Sequence, residues 1–168
     1  ESHVATGTDS AEVVFIAKYR IGGGSVAMDA LGRYVVTWTS NASGNSDVLA
    51  RLFDRGTPLT TEFVVNLTTN GDQRYPSVAI NLPGDRFAVT WSSTSHPDQD
   101  GDTLPDDTDY GVYVRSYNFD GAVQTPTSGE VHVNTTTEWN QIYSDVAMDH
   151  RGDFTVTWSG RGLQPGQI

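Results

Sequence analysis

The stretch SVAINLPGDRFAVTWSS, Ser77 to Ser93, holds an apolar segment, a Gly-containing turn, and an aromatic-x-Val-Thr-Trp segment in which large apolar side chains alternate with small or polar ones. Phe87, Val89 and Trp91 fall on one face of an extended chain, and period-2 alternation with a large aromatic marks a strand packed on a neighbouring sheet. The same text occurs twice more, as SVAMDALGRYVVTWTS from Ser25 and as DVAMDHRGDFTVTWSG from Asp145. The turns DALG, NLPG and DHRG each carry a glycine able to supply a positive φ, so each copy is expected to be a hairpin.

Two further segments recur between these hairpins. DVLARLFDRG (Asp47 to Gly56) matches GVYVRSYNFDG (Gly111 to Gly121), and EFVVNLTTNGDQRYP (Glu62 to Pro76) matches EVHVNTTTEWNQIYS (Glu130 to Ser144). Each unit therefore has four short strands, the third bearing Arg51 or Arg115 and the fourth ending in Asn66 or Asn134. Four antiparallel strands per unit, with an aromatic in each, predict an all-β fold of β-propeller-like blades; two sheets packed as a β-sandwich are the alternative. The expected organisation is a leading segment 1–25 with one strand of a partial blade (EVVFIAK, residues 12–18, in a fourth-strand slot), repeat units 26–76 and 77–144, and the first hairpin of a third unit at 145–168. Closure takes four or more blades. With two whole units, and with Glu1 rather than methionine at the start, the chain reads as a piece of a longer repeat protein or as one copy of an assembly.

The spacing from Trp38 to Trp91 is 53 residues, and from Trp91 to Trp158 it is 67. Most of the excess falls at 93–110, an insertion in the second unit that contains HPDQDGDTLPDDTDY. Six of the 21 acidic residues of the chain lie there. Calcium takes about six to eight oxygen ligands from a tight loop with carboxylates at alternate positions. Counted from Asp98 as position 1, the loop offers Asp98, Asp100, Asp102, the Leu104 carbonyl, Asp106 and Asp109 at positions 1, 3, 5, 7, 9 and 12. That is EF-hand-type spacing, except that the glycine, Gly101, falls at position 4 and Thr103 stands at position 6. Pro105 stiffens the loop and lowers the entropy lost on binding. A solvated acidic linker is the blander reading of such a run. Calcium (Ca2+) is the expected cofactor. Magnesium uses fewer carboxylates, and zinc and copper want histidine or thiolate.

Composition narrows the function further. The 168 residues carry a formal net charge of -11 and no cysteine, which argues against nucleic acid or an anionic membrane as partner and excludes disulfides. No apolar run reaches the roughly 18 to 20 residues of a membrane-spanning helix. His3, His96, His132 and His150 form no metalloprotease motif, and nothing singles out a carboxylate pair for glycoside hydrolysis. Arg151-Gly152-Asp153 spells an adhesion tripeptide but occupies the hairpin-turn slot. Asn-x-Ser/Thr occurs at Asn41, Asn66 and Asn134, and at the last two, strand-end capping is the simpler account. Trp38, Trp91 and Trp158 are expected in the core, and Trp139 is the candidate exposed aromatic.

The repeated text resembles a tandem repeat of large secreted bacterial proteins, including haemolysin-type calcium-binding proteins and surface proteins of cyanobacteria and planctomycetes. The acidic loop resembles the thrombospondin type 3 calcium repeat, which Asp98, Asp100, Gly101, Asp102, Asp106 and Asp109 match while Thr103 departs at its second glycine. These resemblances imply a secreted or cell-surface location and a calcium-binding, non-catalytic structural or adhesion module. Its expected partners are neighbouring repeats, further copies, glycans or surface proteins. A carbohydrate-binding propeller and a fragment of a secreted hydrolase are the alternatives.

Overall fold

Strand-forming text separated by glycine turns folds here as antiparallel sheets. The computed structural model describes residues 12–13 (backbone only), 25–41, 44–94, 109–119, 129–136 and 139–160. The fold is all-β, and no helix occurs among the described residues. The strands are β1 (Glu12–Val13), β2 (Val26–Met28), β3 (Arg33–Ser40), β4 (Asp47–Asp54), β5 (Thr57–Pro58), β6 (Phe63–Val64), β7 (Gln73–Ile80), β8 (Arg86–Ser93), β9 (Gly111–Asn118), β10 (Val131–His132), β11 (Gln141–Met148) and β12 (Phe154–Gly160).

They form three antiparallel sheets in chain order. In the first, β2 and β4 flank β3, and β5 and β6 pair with β4; the second runs β7-β8-β9-β10; the third pairs β11 with β12. The four-strand units thus appear as meanders, twice whole and once as a hairpin. Register repeats with the sequence: Tyr34 lies opposite Phe53 in the first sheet and Phe87 opposite Tyr117 in the second. Both pairs stack, at 4.8 Å between ring centroids.

Glu12–Val13 pairs with Ser40 and Thr39 at the end of β3, on the edge where β2 lies; the rest of the expected strand 12–18 lies outside the described residues. The second and third sheets begin at Gln73 and Gln141, upstream of the expected unit starts at 77 and 145. The cause is a bulge in each first strand, between Arg74 and Ser77 and between Ile142 and Asp145. There Tyr75 and Tyr143 take φ of 58° and 57°, which breaks the alternation that marks a strand in sequence.

Alternation also builds the core. Phe87, Val89 and Trp91 of β8 pack with Val35, Val48 and Leu52 of the first sheet. The intervening Ala88, with Val114 of β9, packs with Val146 of the third sheet and its half-buried neighbour Val156. β7 lies against β2 and β3, and β11 lies against β7 and β8, so the offset between successive sheets repeats. A fully buried side chain of this size contributes about 1.5–3 kcal/mol.

Polar side chains finish what the ladders leave open. Asp29 Oδ1 accepts the amides of Leu31 and Arg33, Asn81 Oδ1 those of Asp85 and Arg86, and Asp149 Oδ1 those of Arg151 and Asp153. One side-chain turn device therefore closes all three hairpins. The fourth strands are two residues long, and beyond them a buried asparagine replaces the ladder. Val48 N–H donates to Asn66 Oδ1 at 2.8 Å, and Val112 N–H to Asn134 Oδ1 at 2.6 Å.

Candidate functional site

The acidic insertion leaves the second sheet after β8 and returns into β9. Ser93 and Gly111 face each other across that pair, so the ends of the insertion are one ladder rung apart. Each end is also fastened sideways. On the outgoing side Thr94 N–H donates to Asp72 O at 3.0 Å, and Asp72 N–H donates to Thr94 Oγ1 at 2.8 Å. On the returning side Tyr110 N–H donates to Asn140 Oδ1 at 3.0 Å, and Gln141 N–H donates to Tyr110 O at 2.7 Å. The sheet has thus already met the entropy cost of closing the loop. Of the expected ligands, Asp109 is described and is half-buried beside Tyr110; Asp98, Asp100, Asp102, Leu104 and Asp106 lie outside the described residues. Among the described residues no three His, Asp or Glu side chains gather to hold a metal ion.

A tyrosine cluster stands at the same rim, put there by the bulges. The rings of Tyr75 and Tyr143 meet edge-on at 4.9 Å, and Tyr110 lies 6.2 Å from Tyr75. Arg74 pairs with Asp72 at 2.6 Å and donates to Ser46 Oγ at 3.2 Å. Burial pushes the Tyr75 phenol above its ordinary value and Tyr143 adds to this, while Arg74 opposes it. Burial likewise raises Tyr110, again against the pull of Arg74. At neutral pH Tyr75 and Tyr110 therefore present neutral hydroxyls, and the cluster presents aromatic faces. Nearby, Trp139 is 53% exposed and holds φ of 66°. Sequence reading passed over this cluster, although its signal is present as Gln-x-Tyr at Gln73–Tyr75 and again at Gln141–Tyr143.

The opposite end of the sheets carries an open cleft of about 580 Å³ lined by Arg33, Leu59, Thr60, Asp85, Asn118 and Phe119. The Arg33 guanidinium lies 4.9 Å over the Phe119 ring and bonds Asp29 at 2.7 Å, so its charge is already engaged. The Arg151-Gly152-Asp153 turn is at this end, with Arg151 and Asp153 exposed.

The remaining candidates resolve into structure. Asn66 and Asn134 are buried, and their Nδ2 groups donate to Thr68 O and Thr136 O, which leaves neither amide open to glycosylation; Asn41 is exposed. His132 stacks on Tyr113 at 4.8 Å, and His150 is exposed beside Asp149. His3 and His96 lie outside the described residues. Trp38 and Trp91 are core residues as expected, whereas Trp158 is 40% exposed. No family model, curated protein or solved structure matches this chain.

Proposed function

We propose that this chain is a calcium-binding, non-catalytic repeat module of a secreted or cell-surface protein, with its sheets arranged as propeller-like blades and acting as scaffold or adhesion surface. The observation that carries this reading is the fastening of the acidic insertion at both ends. A loop with carboxylates at alternate positions, held one rung apart at its base, loses little further freedom on closing around a cation. Asp98, Asp100, Asp102, the Leu104 carbonyl, Asp106 and Asp109 are the oxygens that would hold calcium. The ion supplies positive charge against six carboxylates and selects hard oxygen donors. Half-buried Asp109, adjoining the fastened Tyr110, supports the fit because it joins the ligand run directly to the sheet.

Binding to the folded chain alone stabilises it by mass action, by about 2.7 kcal/mol when free calcium is a hundredfold above its dissociation constant. The melting temperature is expected to rise with calcium, and the double variant Asp100→Ala, Asp102→Ala to lose that rise. A melting curve of the unsubstituted protein that ignores EDTA overturns the metal assignment.

A second reading is favoured by one observation, the exposed Trp139 indole on the rim that carries the tyrosine cluster. Aromatic faces beside polar hydroxyls are what a sugar-binding surface needs. Retention of glycans on an array, lost in Trp139→Ala, would select this reading. Retention that survives the substitution would reject it.

A further inference from the structure

In the second sheet Phe87 and Trp91 are fully buried, whereas their counterparts in the third, Phe154 and Trp158, are 39% and 40% exposed. The difference has a local cause. β8 lies between β7 and β9, but β12 pairs with β11 alone among the described residues. Its other edge offers backbone N–H and C=O groups along a strand of seven residues, which is a template for strand addition.

The two whole sheets state what such an edge takes. In the first, Tyr34, Val36 and Trp38 lie opposite Phe53, Arg51 and Leu49. In the second, Phe87, Val89 and Trp91 lie opposite Tyr117, Arg115 and Tyr113. Both partner strands share the pattern Leu/Tyr-x-Arg-x-Phe/Tyr. The aromatic stacks on its counterpart at 4.8 Å in each case. In the second sheet, which like the third follows another sheet, the arginine crosses to the preceding one: Arg115 Nη1 donates to Val65 O at 2.7 Å and Tyr117 Oη donates to the same carbonyl at 3.0 Å, whereas Arg51 of the first sheet donates to Thr60 O. The residue equivalent to Val65 in the second sheet is Val133, whose carbonyl is the corresponding acceptor for a strand added to the third.

We propose that the edge of β12 accepts, antiparallel, a strand of the pattern Leu/Tyr-x-Arg-x-Phe/Tyr from a further unit of this repeat. The aromatic covers Phe154, the arginine lies opposite Val156, and the Leu or Tyr lies opposite Trp158. The inference deepens the repeat-module reading and rests on its unit-to-unit equivalence, but not on calcium.

The test titrates the whole chain with a synthetic peptide of sequence GVYVRSYN, up to about 1 mM, followed by amide hydrogen exchange and by fluorescence. The expected result is saturable binding with new protection along β12. Affinity should fall at least about tenfold for Trp158→Ala and, with the protein unaltered, for the peptide whose arginine is alanine. Absence of binding, equal binding of a scrambled peptide, or unchanged affinity with both alanine substitutions overturns the proposal. Protection of β12 that rises with protein concentration without peptide also overturns it, since the edge would then pair with a second β12. Loss of calcium-dependent melting with peptide binding intact would sink the calcium reading alone.

Discussion

Trp91 donates its buried indole N–H to Gln73 Oε1 at 3.0 Å, and one unit later Trp158 donates in the same way to Gln141 at 3.0 Å. In the first unit the buried Trp38 Nε1 has no hydrogen-bond partner among the described residues. Gln73 and Trp91 are both fully buried. Replacing Gln73 with leucine strands a donor away from water, at a cost of about 1–3 kcal/mol. Gln141→Leu should cost less, because Trp158 reaches solvent. Urea denaturation of the two variants checks the order, and equal losses would contradict it.

The strands that could be read from sequence were those whose alternation runs unbroken. β3, β8 and β12 carry aromatic-x-Val-Thr-Trp or its variant, and the glycine turns before them fix their starts. The parts that stayed hidden have local causes. At Tyr75 and Tyr143 the left-handed backbone inserts a bulge, so the residues before it look like loop. β5 follows a two-residue turn in which Arg55 and Gly56 have φ of 47° and 88°; arginine is an uncommon first residue for such a turn. The buried asparagines were read correctly as strand-end caps because they recur at both fourth strands. The tyrosine cluster was missed because its members come from three separate segments that only the packed sheets bring together.

Gly84 sits where the second hairpin turn meets the first. A Cβ at this position would lie 1.9 Å from Asp29 Oδ2 and 2.5 Å from Arg33 Nη2, and its φ is +68°. Backbone strain alone in that region costs a non-glycine residue about 1–3 kcal/mol. Gly44, also at positive φ, has nothing within 4 Å of its would-be Cβ. Gly84→Ala is therefore expected to lower the melting temperature clearly more than Gly44→Ala, as differential scanning calorimetry of the pair will measure.

Asp29 couples that contact to acid. Burial pushes its carboxyl upward, but the amide and guanidinium of Arg33 and the amide of Leu31 outweigh burial and hold it below the ordinary 3.8. A carboxylate with a depressed folded-state value contributes stability above its unfolded value, and loses it as pH falls through the folded one. The contribution is thus intact above about pH 4 and declines below it. Asp29→Asn should flatten the dependence of stability on pH in that acid range, which urea denaturation as a function of pH will show. An unchanged slope would assign the acid sensitivity to other carboxylates.

Tyr113 and Tyr117, in the core between the first two sheets, are expected to set the alkaline limit. Burial, with Glu130 adding to it, pushes the Tyr113 phenol from 10.0 up to about 12. Burial raises Tyr117 further still, although Arg115 opposes the rise. A group whose folded-state value is raised contributes stability that is complete below its unfolded value and is lost as pH climbs through the folded one. For Tyr113 that window runs from about pH 10 to about 12. Tyrosinate absorbance should therefore appear together with loss of sheet signal in circular dichroism, because a buried phenolate forms more readily once the sheets part. Tyr113→Phe retains the ring stacked 4.8 Å from His132 and 6.2 Å from Trp91 but removes the ionisation. Its unfolding midpoint in an alkaline titration should move to higher pH. A midpoint that stays in place would assign alkaline unfolding to Tyr117, Tyr75 or Tyr110, a choice that the Phe variants of these three then decide.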